Sequence, residues 1–219
     1  MPKTLLMTTG LAWLALTGAA GAAVTVTLTP GPMDPQYFAG EAAHQNGFTI
    51  DGVTWSLVSG VAETEKGSLT NVFAAPLGMG TNPLTGTTYM SVEGGGTEMA
   101  TWNTPQTSLA LYWGSIDGDG NINSLSISMG AYTLTGVELA TMFGADGNGN
   151  QVSPLGNQLV RITGLDPFTT ATFSSTANAF EFSLASIPEP STWAMMALGF
   201  AGLGYAAFRR NSKGRALAI

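Results

Sequence analysis

Val24-Thr25-Val26-Thr27-Leu28-Thr29 alternates apolar and hydroxyl side chains without a break. Successive side chains of a strand point to opposite faces, so this period puts Val24, Val26 and Leu28 on one face and three threonines on the other. The stretch predicts a half-buried β-strand, and the same period runs on through the chain. Between Phe48 and Leu57, the residues Val53, Trp55 and Leu57 share a face. Further strands are expected at Thr87 to Val92, Leu109 to Trp113, Ser124 to Met129, Tyr132 to Leu134, Gln158 to Ile162, Thr170 to Phe173 and Ala179 to Leu184. Turn-forming clusters separate them at Asn82-Pro83, Gly94-Gly95-Gly96, Asp117 to Asn121 and Asp146 to Asn150. One short helix is expected at Gly136 to Phe143, where Val137, Leu139, Ala140 and Phe143 share a face. Many short strands at this spacing predict an all-β fold, an antiparallel β-sandwich of jelly-roll type, over residues 24–186.

Charge narrows the function. Charged residues make up 10% of the chain, against roughly 25% in an ordinary soluble domain. Gly, Thr, Ser and Asn take their place, and these favour strands and turns. Of the 7 Lys and Arg, only Lys66 and Arg161 lie between Lys3 and Arg209. All the acids except Glu189 lie between Asp34 and Glu181. A domain so acidic lacks the basic footprint that nucleic acid requires. There is no cysteine, which removes thiol catalysis, Fe–S clusters and cysteine zinc sites together.

Both ends read as addresses. Residues 1–23 have the form of a secretory signal peptide: Lys3 for the positive region, an apolar run from Leu5 to Leu16, then Ala20-Gly21-Ala22 for signal peptidase. Cleavage is expected near Ala22 or Ala23; an uncleaved N-terminal anchor is disfavoured by the shortness of the run. Residues 187–219 form the second address. Ile187-Pro188-Glu189-Pro190 is stiff and extended, because each proline fixes its own φ and biases the residue before it away from helix. Ser191 and Thr192 can cap a helix, and Trp193 to Phe208 then runs without a charge to Arg209-Arg210, with Lys213 and Arg215 beyond. As a helix, 193–208 spans about 24 Å, a little short of a hydrocarbon core of about 30 Å. Trp193 suits one interface, and the basic cluster 209–215 suits the cytoplasmic side. The expected topology puts everything before Trp193 outside.

The run IPEPSTWAMMALGFAGLGYAAFRR resembles the PEP-CTERM tail of Gram-negative bacteria, with Pro-Glu-Pro, a short span and an Arg cluster in order. The resemblance implies that an exosortase, a membrane transpeptidase, recognises Pro188, Glu189 and Pro190, cuts near them, and releases or re-anchors the ectodomain. Some naming schemes label this tail type an ice-binding protein C-terminal domain; the tail itself carries no ice chemistry. Leu111-Tyr112-Trp113-Gly114-Ser115-Ile116-Asp117, with Asn123 to Ile127 following, is similar to the YWGS-x-D…N-x-L-x-F pattern of one group of exosortase-dependent surface proteins. Thr172 to Phe182 fits the last strand before the tail in that group. Gly118-Asp119-Gly120 makes a longer loop than the pattern has. What this second resemblance implies is a β-sandwich.

Within the ectodomain, catalysis finds little footing. His44 is the only histidine, and no GxSxG, HExxH or Walker loop is present. Carboxylate pairs such as Glu63/Glu65 or Glu93/Glu98 could in principle serve a glycosidase, whose chemistry depends on a separation that sequence does not set. Asp117, Asp119 and Asn121, and likewise Asp146, Asn148 and Asn150, space oxygen ligands at every second residue, as calcium loops do. Neither is an EF-hand, since the sixth position is Ile122 or Gln151 and the twelfth Ser128 or Asn157. Hairpin turns are the simpler reading. Trp113 shares a face with Leu109 and Leu111, so Tyr112 faces the other way and is a candidate sugar contact. The expectation is therefore a non-enzymatic cell-surface or matrix protein. Its partners would be signal peptidase, exosortase and exopolysaccharide, with the membrane engaged before processing. A carbohydrate-binding module is the alternative and a secreted hydrolase the next. No resident cofactor is expected, calcium being the one ion with a candidate site.

Overall fold

A computed structural model describes residues 23–30, 38, 42, 44–78, 87–118, 123–127, 131–185, 198–201 and 203, with the backbone alone at 7–8, 11–12 and 14–16. The chain divides into two compact units, Met1–Ala185 and Ser186–Ile219. In order, the elements are β1 (Met7–Thr8), β2 (Leu11–Ala12), β3 (Leu14–Leu16), β4 (Val24–Pro30), β5 (Thr49–Ile50), β6 (Val53–Ser59), β7 (Ala62–Glu65), β8 (Tyr89–Val92), β9 (Thr97–Trp113), β10 (Asn123–Ile127), β11 (Tyr132–Thr135), α1 (Gly136–Phe143), β12 (Gln158–Ser175) and β13 (Phe180–Leu184). The unit is all-β and antiparallel, as expected from the sequence.

Two long strands organise it. The C-terminal half of β9 pairs with the N-terminal half of β12, Leu109↔Ile162 to Trp113↔Gln158, and the other halves pair from Thr101↔Thr170 to Thr97↔Ser174. Between them the register breaks, around Thr163, Phe168 and Thr170. Each strand carries a proline there, Pro105 and Pro167, which cannot donate to a ladder and sits where pairing is interrupted. Each half then recruits its own neighbours. On one side the order is β5-β6-β9-β12-β10-β11, and on the other β4-β12-β9-β13-β8-β7. Ring contacts join the two halves across the interior: Trp55 of β6 lies 5.9 Å from Phe182 of β13, and Phe173 of β12 stacks on Phe182 at 4.2 Å.

The sequence period decides who faces inward. Val26 and Leu28 are buried and the threonines of β4 face outward, Trp55 and Trp113 are fully buried, and Phe180, Phe182 and Leu184 alternate inward along β13. Helix α1 spans the residues expected of it. Thr135 and Glu138 form a capping box, Glu138 N–H donating to Thr135 Oγ1 at 3.2 Å and Thr135 N–H to Glu138 Oε2 at 2.8 Å, while Gly144 at φ 71° closes the helix. Three strand expectations fall short. Gln158–Ile162 and Thr170–Phe173 are parts of one strand, and Leu109–Trp113 is the end of one starting at Thr97. β7 was not foreseen, because Ala-Glu-Thr-Glu carries no apolar alternation.

In the second unit the described residues 198–201 and 203 are helical, with Leu198, Phe200 and Leu203 exposed. Among the described residues no helix is long and apolar enough to cross a membrane; most of the expected span 193–208, and all of the motif 188–190 and the cluster 209–215, lie outside them. Of the expected signal peptide 1–23, the backbone segments β1 to β3 and Ala23 are described, and β3 pairs with β4 from Leu14↔Val26 to Leu16↔Val24.

Candidate functional site

The β7-β8-β13 layer has a dry inner face and an outer face that is polar yet covered. Glu63, Ser91 and Glu181 form one cross-strand row, and Glu65 stands opposite Tyr89 in the next. Residues 66–78 lie over this face and bond to it and to its surroundings. Ala74 N–H donates to Glu181 Oε1 at 2.8 Å, Leu77 N–H to Asn157 Oδ1 at 3.0 Å, and Tyr89 Oη to the Gly67 carbonyl at 2.6 Å. Gly114 permits the close approach, since a Cβ there would stand 2.7 Å from the Pro76 ring.

Under this cover opens a cavity of about 600 Å³, lined among others by Phe73, Ser115, Asp117, Gln151 and Glu181. Glu181 is 2% exposed. Its Oε1 is satisfied by Ala74, while its Oε2 has no hydrogen-bond partner. Burial pushes its carboxyl up to about 8, against the pull of the Ala74 amide and with the Asp117 charge adding to the rise. The Ser115 hydroxyl also lowers it, through a side-chain contact with Glu181 that is too long or too bent to satisfy either Ser115 Oγ or Glu181 Oε2. Ser115 holds a left-handed backbone, φ 46°, which a non-glycine residue adopts only under constraint.

At the edge of the same face lies the one group of three metal-type ligands that comes together among the described residues: His44, Glu63 and Glu65, with ligand atoms within 4.8 Å of one another. His44 Nδ1 stands 3.3 Å from Glu63 Oε1 and 3.1 Å from Glu65 Oε1. A tetrahedral ion with bonds of about 2.0–2.1 Å separates its ligands by roughly 3.3 Å, and the two distances from His44 Nδ1 match that spacing. Burial pushes Glu65 up to about 7, against the attraction of His44 and with Glu63 adding to the rise; the Glu63 hydrogen bond and the Glu65 charge raise His44. The sequence shows Glu63 and Glu65 on one strand face by their spacing, but nothing in it brings His44 to them across 19 residues.

The two candidate calcium loops do meet. Asp117 and Asn148 form an isolated bridge, with Gly118 N–H donating to Gly147 O at 2.7 Å and Gly149 N–H to Ile116 O at 3.2 Å. Asn150 Oδ1 is occupied by the amides of Val152 and Ser153, each at 3.0 Å, as in a turn cap. Asp117 Oδ2 accepts from Asn123 Nδ2 at 3.2 Å. Asp146 is half-buried and Asn148 exposed, and Asp119 and Asn121 lie outside the described residues. Tyr112 does face away from Trp113, half-buried and packed against the Ala75–Tyr89 cluster.

Residues 186–211 match the family model of the PEP-CTERM protein-sorting motif. The chain carries a PEP-CTERM tail. That tail makes the protein an exported, exosortase-dependent surface protein with a transient membrane anchorage. Pro188, Glu189 and Pro190 all fall inside the matched segment, as do Arg209 and Arg210. No curated protein and no solved structure matches the chain, so the YWGS-x-D likeness of the ectodomain rests on the residues quoted for it.

Proposed function

We propose that this PEP-CTERM protein is a non-catalytic component of the extracellular matrix of a Gram-negative bacterium, a jelly-roll-like β-sandwich associated with exopolysaccharide. Signal peptidase removes residues 1–23, the helix at 193–208 holds the chain in the inner membrane with Arg209 and Arg210 on the cytoplasmic side, and exosortase acts at Pro188-Glu189-Pro190. The match over 186–211 carries the reading. The exposed, helical Leu198, Phe200 and Leu203 support a lipid-facing segment. An acidic ectodomain with few cations suits neutral polymers better than anionic ones. The test is the intact mass and cell fraction of the mature protein with and without exosortase. Loss of 1–23 and of the tail beyond Pro190, the latter only when exosortase is present, is the expected result. A tail retained in both strains would overturn it.

A further inference from the structure

We propose that the cavity between residues 66–78 and the outer face of β13 binds a neutral hexose unit of a glycan; the inference rests on the matrix reading only for the source of that glycan. Two polar atoms at its wall, Glu181 Oε2 and Ser115 Oγ, are buried with no hydrogen bond of good geometry, only a weak contact between their own side chains. Such atoms carry an unmet desolvation cost, which a ligand hydroxyl relieves. Ser115, 6% exposed, is held in the left-handed region, a strain typical of backbone that serves a site.

The wall also says what the ligand is. Thr70, Asn71 and Gln151 supply neutral polar groups and Phe73 an aromatic ring, the mixture that recognises a sugar's hydroxyls and its apolar face. The ionisable residues of the lining are the acids Asp117 and Glu181, with no Lys, Arg or His in it, so nothing there pairs with a uronic acid or a phosphate. At about 600 Å³ the space exceeds what a single cation fills and falls within the size range of small-molecule pockets. A carboxyl with its pKa raised to about 8 is neutral at pH 7 and both donates and accepts, as sugar hydroxyls do. The stretches Leu111–Asp117 and Thr172–Phe182, far apart in sequence, deliver Ser115, Asp117, Asn178 and Glu181 to one wall.

The experiment is calorimetric titration of the full-length protein in detergent micelles with glucose, galactose and mannose, with glucuronic and galacturonic acid, and with calcium chloride. Millimolar binding of a neutral hexose is expected, weakened about tenfold in Ser115→Gly and in Glu181→Gln. Both variants should melt no lower than wild type, because glycine accepts the backbone of Ser115 and glutamine is a neutral isostere. Amide shifts on wild-type protein, expected at Ala74, Ser115 and Glu181, keep the question decidable where a variant fails to fold. Binding of uronic acids or calcium alone, shifts elsewhere, no hexose binding, or unchanged affinity in both variants would each overturn the proposal. Hexose binding in a protein that never enters the matrix would sustain this site and refute the matrix reading. Wild-type protein that is retained in the matrix but binds no hexose would sustain the matrix reading and overturn this site.

Discussion

The two faces of β13 differ as sharply as two proteins would. Inward, Phe180 and Phe182 stack in a cluster with Trp55, Trp113 and Phe173. Outward, Glu181 and Ser183 are just as buried, at 2% and 0% exposed, but under a loop. The inner face is dry because apolar area leaves water there. The outer face is dry only because residues 66–78 cover it, so its polar groups need partners from that cover or from something bound beneath it. Burial alone therefore does not distinguish core from site. What distinguishes them is whether unsatisfied polar atoms border a cavity, as Glu181 does, or are sealed among rings, as Glu98 is.

The largest expected effect tests the inner face. Phe182→Ala removes a ring that touches Trp55, Phe173 and Phe180, and a truncation of this kind costs about 3–5 kcal/mol. Urea unfolding of the purified protein measures it. A loss under about 1 kcal/mol would mean that the two halves of the bent sheet do not pack through this cluster.

Acidity breaks the symmetry between faces. Glu98 lies on the inner face opposite Leu57 and Phe173, 0% exposed, with neither carboxyl oxygen partnered. Burial pushes it up to about 7, as it pushes Glu65 up to about 7 and Glu181 to about 8. In each case the folded pKa lies above the unfolded one, so the folded state holds the extra protons. Their contribution to stability is complete below about pH 4.5 and is lost as pH rises through 7 to 8. The melting temperature should therefore fall between pH 5 and pH 9. Glu98→Gln should flatten part of that slope and stabilise the protein at pH 9 by roughly 1–3 kcal/mol. A melting temperature that rises with pH would show the acids to be ionised and paired.

The inner face was the legible one. Strict alternation at Val24 to Thr29, the placement of Trp55 and Trp113, and the short helix at Gly136 to Phe143 all follow from local chemistry, and all are found. The bend that makes one sheet into two halves was hidden. Pro105 and Pro167 look like strand breakers in sequence, and only the long-range pairing of β9 with β12 shows that they interrupt a ladder without ending it. The outer-face site was less legible still. Ser115, Asp117 and Glu181 each sat in a stretch singled out for its pattern, but their convergence depends on residues 66–78, which carry no periodic signal. The approach of His44 to Glu63 and Glu65 leaves no local trace in the sequence, because it depends on the bonds of His44 and Gln45 to Thr64, 19 or more residues away.

The smallest effect sharpens the comparison most, because it separates burial from satisfaction with a single oxygen atom. Ser91 and Ser175 are both nearly inaccessible, at 1% and 3% exposed. Ser175 Oγ donates to Asn123 Oδ1 at 2.7 Å, whereas Ser91 Oγ has no partner. Removing a bonded hydroxyl strands Asn123 Oδ1 and costs about 1 kcal/mol; removing an unbonded one relieves a desolvated group and leaves stability equal or slightly higher. Ser175→Ala should thus lower the urea midpoint and Ser91→Ala should leave it level or raise it, with the slope unchanged in both. If Ser91→Ala were the more damaging of the two, its hydroxyl would be bonded beneath the 66–78 cover. The outer face would then be a satisfied polar core, without the unmet groups on which a binding face depends.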